Sequence, residues 1–134
     1  MVVSKAELLP VREEPEVVGV RQLVRAWCVE LKFSLVDQTK MVTAASELAR
    51  NTLIHGQGGT VELQVVENFD RRGLRLIFED KGPGIPDIDL AMKDGYTTGH
   101  GMGLGLGGSK RLVHEFEISS QVGQGTRVAI TRWA

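Results

Sequence analysis

Glu47 and Asn51, in the run Ser46-Glu47-Leu48-Ala49-Arg50-Asn51, stand four residues apart, a spacing that sets a carboxylate and an amide on one face of a helix. Some thirty residues later come Asp80-Lys81-Gly82-Pro83-Gly84-Ile85-Pro86 and then a glycine-rich run from Gly99 to Gly108. A helical carboxylate and amide, an acid in a glycine turn and a loop of bare backbone N–H groups form a set of parts. Together they can hold a metal-bound nucleoside triphosphate and activate a group against it.

Each part has its own chemistry. Thr43, Glu47, Asn51 and His55 fall at four-residue steps and make one polar stripe beside alanines and aliphatic residues. A solvated helix face would show the same stripe, and what favours chemistry is its place ahead of the two glycine segments. A partly desolvated Glu47 can act as general base, a role worth about 10²- to 10⁴-fold. The amide oxygen of Asn51 is a hard, neutral ligand suited to Mg²⁺, which takes its other oxygens from phosphates and water. Asp80 follows a strand pattern, with Gly82 and Gly84 permitting close backbone approach and Pro83 and Pro86 stiffening the turn. A carboxylate fixed in this way is a natural acceptor for the amino group of adenine. In the run Gly101-Met102-Gly103-Leu104-Gly105, ahead of a helix expected at Ser109, the exposed N–H groups suit phosphate. The P-loop pattern fails there, because Ser109 precedes Lys110 and Arg111 follows it. The dinucleotide fingerprint matches at Gly103, Gly105 and Gly108, but no strand precedes it. Three scattered histidines, His55, His100 and His114, argue against zinc, and His100 is expected at the surface.

The elements that must position these residues follow from periodicity. Lys5 to Arg12 predicts a strand that Pro10 confines to an edge or a strand end. Glu13-Glu14-Pro15-Glu16 opens a helix whose apolar face, Val17, Val20, Leu23, Val24, Trp27 and Leu31, runs to about Phe33-Ser34. A second helix is expected from Leu35 to His55, stopped by Gly56. Alternation predicts strands over Thr60–Glu67 and Leu74–Glu79, joined by a loop from Asn68 to Gly73. A short helix over Ile88–Lys93, a loop over Asp94–Gly108, a helix over Gly108–His114 and a hairpin of Glu115–Gln121 with Thr126–Trp133 complete the chain. The expected fold is α+β, a two-layer sandwich of a mixed, mostly antiparallel sheet with helices on one face.

Composition narrows the classes. A chain of 134 residues has room for one domain, expected to span residues 1–134. With 42% hydrophobic and 25% charged residues, a net charge of −1 and interspersed signs, neither a nucleic-acid surface nor a membrane span is expected. The N-terminus has no signal-peptide pattern, so a cytoplasmic location follows. Cys28, alone and set among Val24, Trp27, Val29 and Leu31, is expected to be a buried, inert thiol.

With these residues in place, the sequence resembles the GHKL ATPase superfamily, whose Bergerat fold is shared by gyrase, Hsp90, MutL and histidine kinases. Glu47-x-x-x-Asn51 looks like its N box, Asp80-x-Gly82-x-Gly84 like the G1 box, Gly101-x-Gly103-x-Gly105 like the G2 box of the ATP lid, and Gly125-Thr126 like the late Gly-Thr beside the adenine. Four such motifs in this order are specific. Within the superfamily the chain most resembles the anti-sigma-factor serine/threonine kinases, and among them the switch kinases of the stressosome. The resemblance implies Glu47 as catalytic base, Asn51 as Mg²⁺ ligand and Asp80 as the adenine N6 partner. It implies nucleotide binding at Asn51, Asp80, Gly82, Gly84, Ile85, Gly101, Met102, Gly103, Leu104, Gly105 and Thr126. It further implies ATP and Mg²⁺ as cofactors, a STAS-domain scaffold or antagonist protein as substrate, and a PP2C-type phosphatase activated on release. The alternative it implies is a nucleotide-gated module that sequesters a sigma factor. His55 leans toward those sigma-binding relatives, while the short lid leans toward the switch kinases. Ile54, where histidine kinases usually carry lysine, sets that branch aside, and no transducer segment of the gyrase type is expected.

Overall fold

In the computed structural model, residues 1–93 and 105–134 are described. The chain runs β1 (Val2–Val11), α1 (Glu14–Glu30), α2 (Leu35–Ile54), β2 (Gly59–Asn68), β3 (Arg71–Asp80), α3 (Ile88–Ala91), α4 (Gly105–Arg111), β4 (Glu115–Gln121) and β5 (Gly125–Trp133). The strands form one five-stranded sheet in the order β1-β2-β3-β5-β4. All four pairings are antiparallel, so the expectation of a mixed sheet is corrected for the described residues. Tight turns join β2 to β3 and β4 to β5, and the helical excursion after β1 returns antiparallel beside it; the excursion from β3 to β4 brings β4 back parallel to β3, but β5 lies between the two, so no parallel pair forms.

Strand alternation decides which residues face the helices. Val61, Leu63 and Val65 of β2 pair with Phe78, Leu76 and Leu74 of β3, and Phe78 and Leu76 pair in turn with Val128 and Ile130 of β5. All of these are buried in the core with Val17, Val20, Val24 and Trp27 of α1 and Met41, Ala44, Ala45 and Leu48 of α2. That is the period-2 and period-3.6 patterning meeting in one layer. Cys28 lies in this core at 0% exposure, and burial pushes its thiol up to about 12, as an inert residue requires.

Local chemistry sets the helix starts. The Glu16 carboxylate folds back to accept the N–H groups of Arg12 at 2.7 Å and Glu13 at 3.0 Å, which caps α1. Ser34 Oγ accepts the Asp37 N–H at 3.1 Å at the head of α2. Between the two helices Lys32 takes φ 62°, and the Phe33 N–H returns to the Cys28 carbonyl at 3.0 Å.

Several boundaries move: β1 starts at Val2, ahead of the expected Lys5, α3 ends at Ala91 and α4 ends at Arg111, short of the expected Lys93 and His114. The strand pair β2–β3 extends through the expected Asn68–Gly73 loop, leaving a turn at Phe69-Asp70 between paired Asn68 and Arg71. Gly73 belongs to β3 because Trp133 lies across it; a Cβ there would meet the indole ring at 2.8 Å. The last helix begins at Gly105, ahead of the expected Gly108, so Gly105 is helical. It packs on α2, with Leu106, Gly107 and Ser109 buried and Ser109 Oγ donating to the Gly105 carbonyl at 3.1 Å.

No helix among the described residues is long and apolar enough to cross a membrane.

Candidate functional site

Asp80 is the last residue of β3, and its register partners place it. It pairs with Gly59 of β2 on one side and with Thr126 of β5 on the other. Alternation from Leu74, Leu76 and Phe78 sends its side chain to the helix-covered face. There Oδ1 accepts two backbone N–H groups, from Gly82 at 3.0 Å and from Thr126 at 3.2 Å. Among the described residues no hydrogen bond reaches Oδ2, so the carboxylate is held by one oxygen and offers the other.

The glycines around Asp80 are required by contact. A Cβ on Gly56 would lie 2.3 Å from Asp80 Cγ, and a Cβ on Gly82 would lie 2.7 Å from the Gly56 carbonyl oxygen. A Cβ on Gly125 would lie 2.1 Å from the Asp80 carbonyl oxygen. Gly84, at φ 78°, approaches the Gln121 carbonyl to 2.3 Å measured from its would-be Cβ. Three segments remote in sequence thus meet backbone to backbone: the end of α2, the turn after β3 and the β4–β5 hairpin. Only glycine leaves room for this.

Hydrogen bonds lock the turn to the hairpin. The Gly123 N–H donates to the Pro83 carbonyl at 2.8 Å, and the Ile85 N–H donates to Ser120 Oγ at 2.8 Å. Ser120 Oγ also lies 3.0 Å from the Gly125 carbonyl oxygen and 2.8 Å from Thr126 Oγ1. Ile85 and Thr126, both expected at a nucleotide site, are therefore connected through a residue that sequence reasoning missed. Its one sequence signal is the hairpin register that sets Ser120 opposite Thr126.

On α2, Glu47 and Asn51 are both partly buried, one turn apart on the same side of the helix. The helix is tied at its end: the Asn51 carbonyl accepts the N–H groups of His55 at 2.9 Å and Gly56 at 3.0 Å, and Thr52 Oγ1 donates to the Leu48 carbonyl at 2.9 Å. Because Gly56 abuts Asp80, the helical rise puts Asn51 about 7 Å and Glu47 about 13 Å along α2 from the Asp80 end. Glu47, Asn51, Asp80 and Thr126 thus lie on the helix-covered side of the sheet, and α4 packs beside α2. Gly101, Met102, Gly103 and Leu104 fall outside the described residues.

The donor set fits the groups expected of it. An unshared carboxylate oxygen at Asp80 suits an amino-bearing ring. Asn51 supplies a neutral amide oxygen one turn from a carboxylate, as a hard cation with phosphate and water ligands requires.

Residues 36–133 match the family of histidine kinase-, DNA gyrase B- and HSP90-like ATPases. The chain is 44% identical over 120 residues to the serine/threonine-protein kinase RsbT of Bacillus subtilis, covering 90% of each protein. It is 31% identical over 118 residues to the anti-sigma F factor of Clostridium kluyveri, covering 84% of this chain and 82% of that one. Among solved structures, the RsbU and RsbW domains of a Mycobacterium tuberculosis protein superpose with a TM-score of 0.66 at 21% identity, over 96% of this chain and 32% of that one. The latter likeness concerns the fold alone. By the family match and by relatives of this identity and coverage, the chain belongs to the histidine kinase-, DNA gyrase B- and HSP90-like ATPase family.

Proposed function

We propose that this protein is an ATP-dependent serine/threonine protein kinase of a partner-switching module. The observation that carries the reading is the 44% identity to a serine/threonine-protein kinase across 90% of the chain. The geometry supports it: the Asp80 carboxylate is held through one oxygen by the Gly82 and Thr126 N–H groups, and Glu47 and Asn51 stand one turn apart on one side of α2.

In the proposed reaction the substrate serine oxygen bonds to the γ-phosphorus while the bond to the β,γ-bridging oxygen breaks and ADP leaves. Glu47 takes the hydroxyl proton. Mg²⁺, where bound, neutralises the phosphate oxygens, and Asn51 is the side chain we assign to hold it. Asp80 and Thr126 are the side chains we assign to the base, Gly82, Gly84 and Ile85 to its pocket, and the run Gly101 to Gly105 is assigned to the phosphates from its sequence. The protein substrate we assign is a cytoplasmic STAS-domain scaffold or antagonist, and the partner after release is a PP2C-type phosphatase. Likeness to anti-sigma F factor favours a second reading, a nucleotide-gated module that sequesters a sigma factor.

Incubation with γ-labelled ATP and candidate STAS proteins separates the two. A kinase transfers label to a serine, whereas a pure binder labels nothing. Glu47→Ala should keep ATP binding and lose transfer; undiminished transfer would overturn the base assignment.

A further inference from the structure

Arg132 is a charged residue on the helix-covered side of the sheet. It pairs with Leu74 of the core, and its own side chain is buried on that face. Its guanidinium spans two helices. Nη2 donates to Asp37 Oδ1 at 2.7 Å in the first turn of α2, and Nη1 donates to the Leu112 carbonyl at 2.9 Å, one residue past the end of α4. The Leu112 N–H turns back to the Ser109 carbonyl at 3.1 Å, so the bonded carbonyl belongs to the closing turn of α4. Among the described residues, Arg132 Nε is buried without a partner. A buried guanidinium with a donor unspent gains little stability, because an apolar residue of that size would fill the space without desolvating a charge. A planar fork joining two acceptors is well suited to fixing a distance.

The two helices it joins carry residues assigned to phosphoryl transfer. Glu47 and Asn51 lie on α2, and α4 begins at Gly105. Leu106, Gly107 and Ser109 are buried where α4 packs on α2, and Leu112 closes the helix about 10 Å further along its axis from Gly105. A helix of 7 residues does not hold its own course, so what grips its far end sets its direction. We propose that Arg132 is a positioning residue for phosphoryl transfer: by holding Asp37 and the Leu112 carbonyl at once, it sets α4, and with it Gly105, against the part of α2 that carries Glu47 and Asn51. This rests on the kinase reading of those residues.

The test is Arg132→Met in the full chain, which keeps an unbranched side chain in the space and removes both bonds. Two quantities are read below the melting transition. One is the rate of label transfer at saturating Mg-ATP to the STAS protein that wild type labels. The other is the distance distribution between nitroxides on exposed Thr39 of α2 and exposed Lys110 of α4. The saturated rate should fall about 10- to 100-fold, the scale of an ångström-level misplacement, and the distribution should broaden or shift. Asp37→Asn, which releases only the α2 end of the tie, should lower the rate as well, and adding it to Arg132→Met should lower it no further. It also carries the test should Arg132→Met not fold. A merely structural brace would lower the melting temperature and leave the saturated rate of folded protein within about twofold of wild type, which overturns the proposal. A lowered rate with an unchanged distance distribution overturns it too, as do additive losses in the double variant. Failure of the underlying reading looks different: wild-type protein that transfers no label overturns the kinase reading and this inference with it.

Discussion

Gly56→Ala tests whether the Asp80 carboxylate must sit where backbone contacts hold it. The added methyl would lie 2.3 Å from Asp80 Cγ, 2.4 Å from Oδ2 and 2.6 Å from Cβ, against an ordinary separation of about 3.5–4.0 Å between carbons. Something must give by more than 1 Å. Gly56 itself is poorly free to move: its N–H is bonded to the Asn51 carbonyl at 3.0 Å, and Gly82 is stacked on its backbone. The carboxylate therefore yields, and a 1 Å shift takes Oδ1 out of reach of the Gly82 and Thr126 N–H groups, now at 3.0 and 3.2 Å. Overpacking of this kind costs about 1–3 kcal/mol, so the melting temperature should drop by about 5–10 °C. A misplaced acceptor forfeits a hydrogen bond to a charged group, about 1.5–3 kcal/mol, so the Kd for ATP should rise about 10- to 100-fold. Calorimetric titration with Mg-ATP below the melting transition measures the second effect apart from the first. A Kd within about twofold of wild type would refute the argument that contact with Gly56 fixes Asp80.

The same substitution at Gly19, in mid-α1 with nothing within 4 Å of its would-be Cβ, should instead stabilise the fold by about 0.5–1 kcal/mol, read as a raised melting temperature. Asp37→Asn should destabilise by about 2–3 kcal/mol in urea titrations. It removes the 2.7 Å partner of the Arg132 guanidinium, whose side chain is only 11% exposed, and leaves that charge poorly compensated. The hydrogen bond from Arg132 also holds the Asp37 carboxyl below its ordinary 3.8. This contribution is complete above the unfolded carboxylate range and is lost as pH falls through the lowered folded value, so Asp37→Asn should flatten the acid limb of stability against pH. His114 acts higher on the scale. Burial, then the charges of Arg132 and Arg71, lower its pKa from 6.5, and its neutral Nδ1 accepts the Trp133 N–H at 2.9 Å. The unfolded chain takes the proton first, so stability should decline from about pH 6.5 downward, and His114→Ala should lessen that slope in urea titrations at stepped pH.

Much of the architecture was legible because it rests on local periodicity. The 3.6-residue stripe of α1 and the alternation of β2 and β3 put Val20, Val24, Leu63, Leu76 and Phe78 in the core where their spacing says they belong. The boundaries that moved did so for tertiary reasons. Gly73 reads as a loop residue, yet it is strand because the Trp133 ring needs the space of its missing side chain. Gly105 reads as lid, yet it begins a helix because Leu106 and Ser109 have a place to bury against α2. At the site, the residue types were legible and their partners were not. Gly56 passes in sequence for an ordinary helix stop. Only the fold shows that it makes room for a carboxylate twenty-four residues away, just as only the strand register brings Ser120 to Thr126.

The placement of Asp80 bears on how the site would work. Its Oδ1 bonds run to backbone N–H groups of two separate segments, and those segments are themselves joined by Ser120 and by the Gly123 to Pro83 bond. The proposed acceptor for the base is therefore organised by backbone in the absence of any nucleotide, and binding need not first order it. Glu47 and Asn51 share that rigidity, because the α2 end that carries them toward the site is the end whose Gly56 is wedged against Asp80. A disturbance at the base pocket would then be transmitted along α2 to the proposed base. Gly56→Ala should accordingly lower the phosphoryl-transfer rate even at saturating ATP. A variant that loses affinity alone, with the saturated rate intact, would show that the two ends of the site are held independently.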